Sequence, residues 1–120
     1  MHELSYVRAI LRMVEDIRIE HPGLPVLEVH ASVGAATGAL TEYLVSYYTE
    51  ATAGTDLESS VLIADIVPVR AHCLDCDEEY EPDRAHHYLC PNCGSGRAHM
   101  VAGRDIMVDS VVFGDISGKK

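Results

Sequence analysis

No stretch of this sequence approaches the roughly 18 consecutive apolar residues that a membrane-crossing helix needs, so no membrane partner is expected. The opening residues Met1-His2-Glu3-Leu4-Ser5 carry neither a basic n-region nor a small-residue cleavage site, and do not read as a signal peptide. Both absences point to the cytoplasm, where thiols stay reduced. Basic residues are scarce as well. Nine Lys plus Arg stand against 19 Asp plus Glu, for a formal net charge of −10. Phosphate contacts supply most non-specific nucleic-acid affinity and need a basic surface, so no nucleic-acid partner is expected. The acidic balance suits a cation or a basic partner surface, or simply keeps the protein in solution. Also missing are an H-E-x-x-H motif, a nucleophile elbow and a phosphate loop, and no two carboxylates stand out as an acid/base pair. A catalytic role is not expected. There is no internal repeat and no low-complexity tract.

With 120 residues, 48% of them hydrophobic, the chain can form one ordinary domain and a small metal-stapled module. Leu4, Val7, Ile10, Leu11, Val14 and Ile17 recur at helical spacing, with Arg8, Arg12, Glu15, Asp16 and Arg18 on the other side. His21-Pro22-Gly23 ends that helix. Leu27, Val29, Ala31 and Val33 then alternate with Glu28, His30 and Ser32, the pattern of a half-buried strand, and Gly34, Thr37 and Gly38 mark a turn. A second helix is predicted from about Leu40 to Ala53, with Leu40, Leu44, Tyr47, Tyr48 and Ala51 facing inward and Gly54 as its stop. Val61 to Ala71 reads as one strand, with Pro68 at an edge or a bulge because it has no N–H to donate. Ile106 to Phe113 reads as a last strand, followed by a frayed end over Gly114–Lys120.

Between His72 and Met100 the aliphatic residues give way to cysteine, acid, histidine and glycine. The expected fold class is therefore α+β. Two helices lie on a small three-stranded sheet, and a zinc-ribbon-like lobe is inserted between its second and third strands. The expected division is 1–71 with 101–120 as one discontinuous domain, and 72–100 as the insertion.

Cys73-Leu74-Asp75-Cys76 and Cys90-Pro91-Asn92-Cys93-Gly94 form two C-x-x-C hooks. Each hook lets two sulfurs converge on one cation, and together they supply the four thiolates of a closed tetrahedral site. Pro91 stiffens entry to the second hook and Gly94 allows its exit turn. No cysteine is left over, so structural zinc is the expected occupant, with rubredoxin-like iron as the alternative. Two disulfides would conflict with a reducing compartment. Asp75, Asp77, Glu78, Glu79, Glu81 and Asp83 crowd this lobe, either as a solvated face or as a docking surface for a basic partner. His72, His86, His87 and His99 lie in or beside it, read first as surface residues and second as groups that pass a cation along.

A terminal histidine is more often solvated than metal-bound, but the chemistry of His2 is favourable. The Met1 amine, the His2 amide nitrogen and the His2 Nδ1 can close adjacent five- and six-membered chelate rings. The Glu3 amide nitrogen would complete a planar four-nitrogen set, which suits Ni(II) or Cu(II). Met1-His2-Glu3-Leu4-Ser5, Val33-Gly34-Ala35 before the second helix, and the Cys73/Cys76/Cys90/Cys93 quartet together resemble the hydrogenase nickel-incorporation proteins of the HypA/HybF family. The resemblance spans nearly the whole chain. It implies a nickel metallochaperone for maturation of [NiFe]-hydrogenase, sometimes also supplying urease. Met1, His2 and Glu3 would hold nickel, and Cys73, Cys76, Cys90 and Cys93 would hold zinc. The implied partners are the nickel-handling GTPase of hydrogenase maturation and the hydrogenase large subunit, met by a monomer or homodimer. A zinc-ribbon module for protein interaction or nucleic-acid binding would explain the cysteines but leave His2 unaccounted for.

Overall fold

A computed structural model of the chain describes residues 3–115, which leaves residues 1–2 and 116–120 outside the description. The expected ligands Met1 and His2, and most of the expected frayed end, lie outside the described residues. The elements in order are α1 (Glu3–Ile19), β1 (Val26–Gly34), a 3-10 turn (Ala35–Thr37), α2 (Thr41–Thr52) and β2 (Val61–Val67). Then follow β3 (Arg70–Cys73), β4 (Glu79–Tyr80), a second 3-10 turn (Arg84–His86), β5 (Ala98–Ala102) and β6 (Ile106–Phe113). They form two three-stranded sheets, ordered β2-β1-β6 and β4-β3-β5. The chain divides into two compact units. One holds 3–33, Ala39–Asp65 and the chain from Ile106; the other holds Gly34–Gly38 and Ile66–Asp105.

In the first unit two amphipathic helices cover one face of a sheet. The face of α1 toward the core is Val7, Ile10 and Val14, each without solvent contact, as helical spacing requires. From β1 the inward residues are Val26, Val29, Ala31 and Val33. The expected inward Leu27 is instead exposed, because a register shift between Val26 and Glu28 breaks the alternation there. The inward face of α2 also differs from expectation. Leu44, Tyr48 and Thr52 form its buried i, i+4, i+8 stripe, and Leu40, Tyr47 and Ala51 stay exposed. Thr52 is tolerated in that stripe because its hydroxyl donates to the Tyr48 carbonyl at 2.8 Å. Ala39, Leu57, Leu62 and Ile106 complete the core.

The strand expected over Val61–Ala71 is two strands belonging to different sheets. β2 ends at Val67, Pro68 cannot donate to a ladder, and β3 opens at Arg70 as the centre of the second sheet. Within the second unit Gly103, at φ 80°, packs under the Pro68 carbonyl, where an added Cβ would lie 2.5 Å from that oxygen. Gly38 has a similar φ of 73° but open space around it. Gly38→Ala should therefore cost about 1 kcal/mol, from left-handed backbone strain alone. Gly103→Ala should cost about 3 kcal/mol, since overpacking adds to that strain. Denaturant unfolding of both variants checks this, and equal losses would mean the close approach relaxes freely.

Candidate metal centre

The second unit is poor in buried apolar area. Its core consists of Ala71, Cys73, Tyr80 and Cys90, with Cys76 and Ala98 packed against them. Cys73 ends β3, so the ladder that orders the sheet also delivers the first sulfur. The two hooks repeat one backbone geometry. In the first, the Asp77 amide donates to the Cys73 carbonyl at 3.0 Å and the Cys73 amide to the Glu78 carbonyl at 2.8 Å. In the second, Gly94 donates to Cys90 at 2.8 Å and Cys90 to Ser95 at 3.0 Å. The residue after the second cysteine of each hook is left-handed, Asp77 at φ 64° and Gly94 at φ 79°. Glycine adopts that conformation freely and aspartate is among the few other residues that tolerate it. The hooks are tied together as well. The Leu74 amide donates to the Arg97 carbonyl at 2.8 Å, and the Asp75 carboxylate accepts from Ser95 and Arg97.

The result is four sulfurs around one point. Cys73 and Cys93 Sγ atoms are 3.6 Å apart, as are those of Cys76 and Cys90, and all four lie within 4.8 Å of one another. A disulfide would bring a pair to ~2.05 Å, and all four cysteines are free. Zinc–sulfur bonds of ~2.3 Å give a tetrahedral edge of about 3.8 Å, close to the observed spacing. The donor set and its dimensions fit a structural zinc ion. The Ser95 backbone amide favours the Cys93 thiolate, but the neighbouring Cys73 thiol, burial, and the Cys76 and Cys90 thiols outweigh it and push Cys93 up to about 12. A divalent cation inverts that balance and holds the sulfurs deprotonated. Among the described residues this is the one group of three or more His, Cys, Asp or Glu side chains close enough to share an ion.

The histidines do not join the sulfurs. His86 pairs with Asp83 three residues earlier at 2.8 Å, and His86 holds the Asp83 carboxyl below the usual carboxylate range. His87 is exposed with a left-handed backbone. His72 and His99 face each other across the second sheet, a pairing that strands this short did not betray in the sequence. Of the expected nickel ligands only Glu3 is described. It opens α1, where the first amides of a helix have no partner within it. Its carboxylate accepts from the Leu40 amide at 3.4 Å, ahead of α2. No helix among the described residues is long and apolar enough to cross a membrane.

Residues 1–113 match a protein-family model described as hydrogenase/urease nickel incorporation, metallochaperone, hypA. A hydrogenase maturation factor HypA from a Synechococcus strain is 35% identical over 112 residues, covering 92% of this chain and 85% of that protein. The factor of the same name from Aquifex aeolicus is 32% identical over 111 residues, covering 92% and 96%. The solution structure of the Ni metallochaperone HypA from Helicobacter pylori superposes with a TM-score of 0.71 at 19% identity, over 94% of this chain and 97% of that one. At that identity the superposition speaks for the fold, two helices and small sheets with a four-cysteine lobe. The sequence matches speak for descent, and this chain belongs to the HypA family of hydrogenase/urease nickel-incorporation metallochaperones.

Proposed function

We propose that this chain carries Ni(II) at its N-terminal end for insertion into a [NiFe]-hydrogenase, and into urease where one is present. The carrying observation is that the family match runs from residue 1 to 113, so it includes Met1-His2-Glu3 as well as the cysteine quartet. The Met1 amine, the His2 amide and Nδ1, and the Glu3 amide would hold nickel in a plane. Glu3 is the first residue of α1, and its amide is unclaimed by the helix, which suits that role. In this reading Cys73, Cys76, Cys90 and Cys93 hold a structural zinc ion, and 72–100 is a domain whose folding depends on it. The protein works in the cytoplasm and catalyses no reaction; nickel is cargo. The test is nickel calorimetry on the native and His2→Ala proteins. His2→Ala should remove planar nickel and spare zinc, because the nitrogen and sulfur ligands are separate residues.

A carrier must also give up its cargo, which calls for a complex with the next nickel handler. The proposed partners are a nickel-handling GTPase and the hydrogenase large subunit, met by a monomer or homodimer. Arg8 and Arg12 are exposed one helical turn apart on α1, a basic pair on a chain of net charge −10. An acidic patch on the GTPase would be steered to them. Reversing both charges should slow association about tenfold at low salt and leave dissociation nearly unchanged. Stopped-flow binding measures this, and an unchanged on-rate would move the docking surface elsewhere.

A further inference from the structure

The second sheet carries two imidazoles that neither metal site uses. His72 on β3 and His99 on β5 are direct cross-strand partners, with ring centroids 5.5 Å apart and planes tilted by 33°. Strand alternation sends Cys73 and Ala98 into the lobe core and the preceding and following residues, His72 and His99, to the other face. His99 is exposed and His72 half-buried, so a hydrated ion can reach both. The His72 Nε2 lies 3.2 Å from Asp77 Oδ1. A carboxylate only accepts, so this contact puts the ring proton on Nε2 and leaves the lone pair of His72 on Nδ1. Metal-binding histidines are commonly fixed in this manner, with the second nitrogen donating to a carboxylate.

The spacing also fits a shared ion. Imidazole nitrogens sit ~2.0–2.1 Å from a first-row cation, which places each ring centre about 3.2 Å from it and the two centres about 5.2 Å apart at a tetrahedral angle. The observed 5.5 Å is reached by a small opening of that angle. We propose that His72 and His99 form a second, exposed site on the lobe for a first-row divalent transition-metal cation, with Asp77 positioning His72. Imidazole ligation selects nickel, copper or zinc over magnesium or calcium. Two protein ligands leave the remaining positions to water. Such a site takes up and releases its ion easily, unlike the closed sulfur site. It shares no residue with Met1, His2, Glu3 or the four cysteines, and does not rest on the N-terminal reading.

The experiment uses the full-length, zinc-loaded His2→Ala protein titrated with Ni(II). Calorimetry should find one further ion per chain, bound without the absorption bands of planar nickel. His99→Ala should weaken it at least tenfold. Asp77→Asn should weaken it by a smaller factor, since the amide oxygen still accepts from His72. A His86→Ala/His87→Ala double variant should leave it unchanged. Non-planar Ni(II) is paramagnetic, so ring resonances of His72 and His99 should broaden first, a readout that needs no change in the lobe. Absence of uptake, equal affinity after His99→Ala, or first broadening at His86 and His87 would overturn the proposal.

Discussion

Cys73→Ser will cost the lobe its zinc and its order, while the first unit keeps its helices and sheet. The second unit buries little apolar surface besides its own cysteines, with Ala71, Tyr80 and Ala98 as the principal additions. A module of that kind depends on its metal. Structural zinc contributes on the order of 10–16 kcal/mol in small zinc modules, comparable to the whole stability of an ordinary domain. Serine offers a weaker, harder donor in place of a thiolate, and Cys73 is fully buried at the end of the central strand. The first unit draws its core from Val7, Ile10, Val29, Leu44 and Tyr48, a cluster that contains none of the cysteines. Amide spectra should therefore lose dispersion for the lobe and keep it for α1, α2 and the β2-β1-β6 sheet. A chelator applied to the unsubstituted protein should reproduce the change, and elemental analysis should report one zinc per chain before and none after. Collapse of every resonance would make the two units one cooperative structure.

Local chemistry in this chain is legible and long-range chemistry much less so. The helix over Glu3–Ile19 follows from the spacing of Val7, Ile10 and Val14, and a helix needs no distant partner to declare its period. The two hooks are legible for the same reason. Each aims two sulfurs by its own turn, and the matched hydrogen bonds of Cys73–Glu78 and Cys90–Ser95 close within six consecutive residues. Leu27 is another matter. Alternation puts it inside, and a register shift against β6, some 85 residues further along the chain, puts it outside. On α2 the expected Leu44 and Tyr48 do face inward, whereas Tyr47 and Leu40 are apolar and still stay exposed. The helix instead places a threonine inward and satisfies its hydroxyl through the Tyr48 carbonyl. The second sheet was not legible at all. Its strands are two to five residues long, too short for a period, and they are held by the hooks beside them. Pro68 looks in the sequence like an edge or bulge of one strand and is the boundary between two sheets.

The proposed nickel site is the reverse case, since two of its three residues, Met1 and His2, lie outside the described residues and the reading follows from their chemistry alone. The amine and amide nitrogens must lose protons to bind, so affinity should fall steeply as the solution is acidified. A single residue placed before Met1 converts the amine to an amide and shifts the chelate register, even though the His2 ring remains. The most direct measurement is Ni(II) binding to three proteins, followed by calorimetry and by absorption in the region of planar nickel. They are the native chain with a free Met1 amine, the same chain extended by one residue, and His2→Ala. The native protein should bind one ion with planar absorption. Both altered proteins should lose that absorption and at least a hundredfold in affinity, with zinc retained in all three. Equal planar binding in the three would contradict the account and remove nickel from the N-terminus.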